Sequence, residues 1–354
     1  MRYQLIPLWC ALSVLALLGA CKKSEQPAAT NPKPESPGST QPAPASSSTK
    51  PPASAEKGVL LKVKWPVGNR YVYRMDMDQH VTNRIPQMPK PMEQDVTMAM
   101  TYATSVTKEL PDDGREIEIE FLANEMEVKM GEQVIISFDS KETGKNDAQN
   151  PFSAPFRKMI GSKLTIQLDA QGKVDKIPGL EEWQKSLSGD QPGPAGGLLA
   201  QQFGEGFFRQ ILDAGRVFQD KPVQVGETWP YQVAVPAGPM GTITVSGKLT
   251  FKGWEDREQH KCVALLSTGT FKGSSPIDTG QMGKMNLENG KATGTSWFDP
   301  ELGALLESKS DQTMRLKGEM PGGAPGGNRA PAAYTVEIGQ KVTLSLVELG
   351  KVKQ

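Results

Sequence analysis

From residue 71 onward the chain places large apolar side chains at every second position, the period of a strand with one buried face. In Tyr71-Val72-Tyr73-Arg74-Met75-Asp76-Met77-Asp78 the odd positions are aromatic or Met, and in Val96 to Tyr102 the even positions are large. Ile117, Ile119 and Phe121 alternate with Glu116, Glu118 and Glu120, after which Met126, Val128 and Met130 continue on the opposite parity. One residue must therefore be accommodated between Phe121 and Met126, as a bulge or a tight bend. Val134, Ile136 and Phe138 predict a further strand, and Pro111-Asp112-Asp113-Gly114 a turn. Alternation returns at Trp229, Tyr231 and Val233, at Ile243, Val245, Leu249 and Phe251, and at Trp297, Leu305-Leu306 and Met314-Leu316. It ends with a long run, Tyr334, Val336, Ile338, Val342, Leu344 and Leu346.

Between these blocks the period changes. Phe152 to Ile160 and Leu180 to Leu187 are helix candidates, and Leu199, Phe203, Phe207, Ile211 and Leu212 recur at helical spacing from Leu198 to Ala214. Leu164 to Leu168 followed by Asp169-Ala170-Gln171-Gly172 predicts a hairpin, and Gly318 to Ala333, rich in Gly and Pro, a flexible loop. Two short signatures recur. Val67-Gly68-Asn69-Arg70-Tyr71-Val72-Tyr73 resembles Val225-Gly226-Glu227-Thr228-Trp229-Pro230-Tyr231, and Leu168-Asp169-Ala170-Gln171-Gly172 resembles Phe298-Asp299-Pro300-Glu301-Leu302-Gly303. A diverged duplication and ordinary turn chemistry both account for them. The expectation is an α+β body over residues 58–354, predominantly antiparallel β, with curved sheets. Its possible halves are 58–178 and 221–354, joined by a helical segment at 179–220.

Upstream the pattern is different. Residues 22–57 are Pro, Ala, Ser, Thr, Lys and Gln with no aromatic residue, a composition that cannot offset its ordering entropy and predicts a tether. Before it lies an apolar run from Leu5 to Leu18 behind Arg2, too short for the ~20 residues of a spanning helix. The run ends Leu18-Gly19-Ala20-Cys21. That sequence resembles the bacterial lipoprotein signal, which implies cleavage after Ala20 (residues 1–20 as signal peptide) and lipid on the Cys21 sulfur. Two or more acyl chains hold a protein firmly, at ~0.8 kcal/mol per buried CH₂. Lys22 and Lys23 follow, with no Asp at the second mature position, and by analogy this favours the outer membrane, facing the periplasm.

Charge and chemistry narrow the function further. Forty basic residues balance forty acidic ones, so no basic field exists to hold nucleic acid. With Cys10 in the signal and Cys21 lipidated, Cys262 has no disulfide partner, and its apolar run Cys262 to Leu266 reads as buried filler despite His260 two residues away. His80 and His260 have no metal-ligand spacing to another candidate, and Asp139 to Asn150 lacks the ligands of a calcium loop at its third and twelfth positions. No catalytic motif is present, and neither a cofactor nor a metal is expected.

The unusual feature is methionine. Met75, Met77, Met98 and Met100 share strand positions with Tyr71, Tyr73 and Tyr102, forming either a well-filled core or an apolar ligand face. Pro222-Val223-Gln224-Val225-Gly226-Glu227-Thr228-Trp229, with Gly294 to Asp299 and Gly303, resembles a family of uncharacterised bacterial lipoproteins carrying a domain of unknown function. More loosely, curved antiparallel sheets with covering helices resemble the lipoprotein-carrier fold, which implies shelter for acyl chains. The sequence thus predicts a membrane-anchored, non-enzymatic binding or structural module, with a hydrophobic ligand as the first hypothesis. The alternatives are an envelope scaffold with a protein partner and, third, a hydrolase.

Overall fold

The structure, a computed structural model, describes residues 58–86, 88–142, 144, 150, 153–188, 203–212, 217–236, 242–273, 276–278, 284–320 and 332–352. Leu18, Gly19, Ala20 and Cys21, the expected cleavage and lipidation residues, and the expected tether lie outside the described residues. The N-terminal block comprises β1 (Asn69–Arg84), β2 (Met92–Glu109), β3 (Arg115–Met130), β4 (Gln133–Asp139), α1 (Ser153–Met159), β5 (Lys163–Leu168) and β6 (Val174–Lys176). Then come α2 (Leu180–Ser188) and α3 (Glu205–Leu212); of the helix expected from Leu198 to Ala214, residues 198–202 and 213–214 lie outside the described residues. The C-terminal block comprises β7 (Thr228–Pro236), β8 (Thr242–Arg257), β9 (His260–Gly273), β10 (Ile277–Asp278), β11 (Lys284–Asp299), β12 (Ala304–Met320) and β13 (Ala332–Lys351). Strands β12 and β13 thus reach into both ends of the expected Gly/Pro loop, and residues 321–331 between them lie outside the description.

All pairing is antiparallel, within one open curved sheet of order β6-β5-β3-β2-β1-β13-β12-β11-β9-β8-β7, with β4 on β3 and β10 on β11. Consecutive strands are neighbours almost throughout, because alternating strands joined by short turns close as hairpins. The one long-range pairing, β1 with β13, joins the two blocks along sixteen residues of β1. Both blocks run in descending chain order in the same direction across the sheet. The recurring signatures occupy matching places in it. Gly68 (φ +83°) opens β1 and donates to the Val106 carbonyl of β2 at 2.9 Å; Gly226 (φ +85°) opens β7 and donates to the Phe251 carbonyl of β8 at 2.7 Å. After β5, Asp169 Oδ1 accepts from the Gln171 and Lys173 amides; after β11, Asp299 Oδ1 accepts from those of Glu301 and Leu302.

The parity change in β3 is a bulge: Thr101 faces Ala123 while Tyr102 faces Phe121, leaving Leu122 extra. The helices cover the concave face. In α2, Trp183 and Leu187, four residues apart, are buried, and in α3 Phe208 and Leu212 likewise. Trp183 stacks on Phe121 at 5.6 Å between ring centroids and meets Phe203 and Phe208 edge-on. One large apolar core thereby spans both blocks. Helix α3 touches both β6 and β7, the two edge strands, and Arg209 donates to the Val174 carbonyl of β6. A helix between the edges shields them from edge-to-edge pairing, and Pro230 on β7 serves the same end. Among the described residues no helix is long and apolar enough to cross a membrane.

A strap-covered cavity on the concave face

Ahead of β1, residues 58–66 cross the concave side as a strap. Val59, Leu61, Val63 and Trp65 alternate inward with Leu60, Lys62 and Lys64, so the strap obeys strand periodicity although its only ladder contact is the bridge of Val59 to Val223. Its far end is fixed by Lys64: the backbone N–H donates to the Gly303 carbonyl at 2.9 Å, and Nζ donates to the carbonyls of Pro300 and Glu301 at 2.9 Å each. Trp65 packs edge-on against Tyr71 at 6.0 Å, and its Nε1 is buried without a hydrogen-bond partner.

Strap, sheet and α3 enclose a cavity. Val63 and Trp65 close one side, Ile211, Leu212 and Phe218 another, and Leu249, Leu265, Phe298 and Leu344 form an apolar floor. The space is about 880 Å³ with its open mouth included. Polar groups are few: Thr104, Ser267, Ser296 and the phenols of Tyr71, Tyr73 and Tyr102, with Lys64 at the rim. Ligand pockets share this mix of apolar lining and sparse polar groups.

The structure divides the predicted Met/Tyr face. Tyr71, Tyr73 and Tyr102 line the cavity, whereas Met75, Met77, Met98 and Met100 are buried in the packed core further along the same strands. Tyr73 and Tyr102 stack at 5.9 Å with 28° between ring planes, and Tyr73 donates its hydroxyl proton to the Leu305 carbonyl at 3.2 Å. Desolvation raises all three phenols above the usual tyrosine range, and the Tyr102 and Tyr71 phenols raise that of Tyr73 further, so all three stay protonated at neutral pH. The strap, Phe218, Leu249 and Leu265 were not identified as site residues from sequence, although the alternation from Val59 to Trp65 carried a usable signal.

The other candidates stand apart from the cavity. His80 bonds Asp95 at 2.7 Å on the exposed face. His260 Nδ1 bonds Asp299 at 2.7 Å, while the buried Cys262 sulfur donates to the His260 carbonyl at 3.8 Å. Burial pushes that thiol up to about 12, so it is a thiol and not a thiolate nucleophile. Asp76 pairs with Arg74 at 2.8 Å in a solvated position, and Asp139 caps the Lys141 amide at 2.8 Å. Among the described residues no group of three or more His, Cys, Asp or Glu side chains is placed to hold a metal ion.

Residues 112–305, more than half of the chain, match a family described as a family of unknown function (DUF6263). No curated protein matches the chain. Among solved structures, lipovitellin, described for its lipid–protein interactions, is 10% identical with a TM-score of 0.45; the match covers 82% of this chain but 26% of that one. A candidate lipoprotein from Parabacteroides distasonis ATCC 8503 is 10% identical with a TM-score of 0.25, covering 79% and 97% of the two chains. A candidate outer membrane lipoprotein-sorting protein domain from Vibrio parahaemolyticus is 11% identical with a TM-score of 0.16, covering 84% and 93%. Likenesses this remote carry no functional weight.

Proposed function

The chain belongs to the DUF6263 family, a family of unknown function, and on that premise we propose that it is a lipid-anchored envelope protein whose body binds one hydrophobic ligand without transforming it. The observation that carries this reading is the apolar cavity, with few polar groups, between strap, sheet and α3. Burying an alkyl chain there is favourable by ~0.8 kcal/mol per CH₂. About ten methylenes would thus supply about 8 kcal/mol gross, the free energy of micromolar affinity where a preformed wall keeps ordering costs small. Lipidation at Cys21 would hold the body near a membrane, and the tether would give it a reach of roughly 35 Å through a layer of periplasm. That placement follows from the signal-like sequence Leu18-Gly19-Ala20-Cys21.

The test is saturation binding of a fluorescent fatty-acyl probe to the mature chain with Cys21→Ser, which removes the protein's own lipid. One site per chain is expected, and Leu344→Trp, which fills the floor, should weaken it at least ~10-fold, about 1.4 kcal/mol. Saturation that is unchanged in Leu344→Trp would refute the cavity as the site.

A further inference from the structure

Beyond its apolar floor the concave face changes chemistry. Successive rows of side chains cross the sheet in hydrogen-bonded register, all pointing inward. One row runs Leu265, Ser296, Ser308, Leu344, Met75, and three of these line the cavity. The next runs Ser267, Gly294, Ser310, Val342, Met77, and the third Ala292, Gln312, Gln340, Gln79. Strand β12 thus turns three consecutive inward positions polar, Ser308, Ser310 and Gln312, at 3%, 8% and 2% exposure. A core built for stability alone would place Leu or Val there.

The hydrogen bonding gives these polar groups a direction. Ser296 and Ser308 share a hydroxyl hydrogen bond at 2.8 Å, and Ser267 donates to the Gly294 carbonyl at 3.2 Å. Gln312 Nε2 donates to Ser310 Oγ at 3.5 Å, and Gln340 Nε2 donates to Met77 Sδ at 2.9 Å. Both carboxamides thus spend N–H donors on weak acceptors in the neighbouring row. Their stronger acceptors, Gln312 Oε1 and Gln340 Oε1, are buried and accept no hydrogen bond. Unpartnered buried carbonyls cost free energy that a donor-bearing ligand would recover. The inward positions of these rows carry no charged side chain, so an ionised head would find no counter-ion.

We propose that this serine–glutamine patch is a head-group subsite for an amphiphile with an uncharged, hydroxyl-bearing head, whose tail occupies the cavity beside Tyr71, Tyr73 and Phe298. The proposal rests on the cavity reading and adds the ligand's class to it. It is tested on the mature chain with Cys21→Ser by displacing the acyl probe with three C16 competitors: a monoacylglycerol, the methyl ester and the free fatty acid. The monoacylglycerol should compete at least ~10-fold better than the methyl ester, the worth of one well-made hydrogen bond to a buried acceptor. In Gln312→Met/Gln340→Met that preference should fall to within about twofold while methyl ester affinity holds. If the double variant lost its cooperative unfolding transition, Gln312→Met alone would be read in the same way and should show part of the loss. A preference unchanged in the variants, equal competition by all three, or a preference for the fatty acid would overturn the subsite and leave the cavity standing. Failure of the probe to bind at all would overturn both.

Discussion

Gly303 lies at the junction of strap and sheet, and replacing it isolates what the strap contributes. It sits in the left-handed region at φ +70°, and its carbonyl accepts the Lys64 amide at 2.9 Å. A methyl group there would lie 2.4 Å from Lys64 Cγ and 2.5 Å from Lys64 Cβ, closer than packed carbons tolerate, so the strap must move. Gly303→Ala therefore combines two costs. The backbone conformation costs ~1–2 kcal/mol for a residue with a Cβ, and losing the strap hydrogen bond costs ~0.5–1.5 kcal/mol more. Gly172→Ala is the matched control at the corresponding turn of the other block: φ is +73°, and the nearest atom to the new methyl is Trp65 Nε1 at 3.7 Å, an ordinary contact. Chemical denaturation of the two variants and the parent should give a loss of ~1–2 kcal/mol for Gly172→Ala and ~2–3 kcal/mol for Gly303→Ala. Gly303→Ala should also admit the acyl probe faster, because its cavity mouth is ajar, whereas Gly172→Ala should match the parent in on-rate. Equal stabilities and equal on-rates for the two variants would refute the claim that the strap is seated on the turn after β11.

Other expectations follow from single groups. Trp229→Phe removes the buried bond from Nε1 to the Val217 carbonyl at 2.8 Å, orphaning that oxygen, and should cost ~1–3 kcal/mol in denaturant unfolding. Gly247→Ala would press a methyl to 2.0 Å from the Thr268 carbonyl and 2.6 Å from the Tyr231 ring; the thermal midpoint should fall further than for Gly172→Ala, and an unchanged midpoint would contradict the packing of that ring. Tyr71, Tyr73 and Tyr102 have phenols raised by burial, and that of Tyr231 is pushed up to about 12. The unfolded chain therefore ionises first as pH passes about 10, holds fewer protons than the folded one, and stability falls with rising pH. Stability should show no tyrosine-linked change below that pH, which unfolding curves from pH 7 to 11.5 would check. Cys262, at about 12, should resist iodoacetamide at pH 8 until the chain is unfolded; rapid labelling of the native protein would contradict its burial.

Strand identity was most legible where only one face is buried and the two faces differ in polarity. Tyr71 to Asp78 and Tyr334 to Leu346 announce β1 and β13 because their outward residues are charged and their inward ones large. The single-residue slip in β3 was readable for the same reason, as a change of parity around Leu122. The middle of β12 was not readable: in Ser308-Lys309-Ser310-Asp311-Gln312-Thr313 both faces are polar, so alternation vanishes although the strand is continuous from Ala304 to Met320. The lost signal coincides with the proposed head-group patch, where local pattern and burial conflict, as expected of a binding site. Most of β11 was hidden too, since Gly290, Ala292 and Gly294 leave little side chain to count. The three tyrosines of the cavity were identified from their shared face, but their separation from the methionines depends on where the strap and α3 fall. That is a tertiary fact with no counterpart in strand periodicity.

The most direct measurement is native mass spectrometry of the protein purified from the envelope of its host without detergent exchange, followed by mild unfolding and extraction. The account predicts one hydrophobic molecule per chain, released on unfolding, absent from Leu344→Trp, and additional to any lipid on Cys21. A chain that carries no extractable molecule, and that binds no acyl probe when offered one in solution, would contradict it.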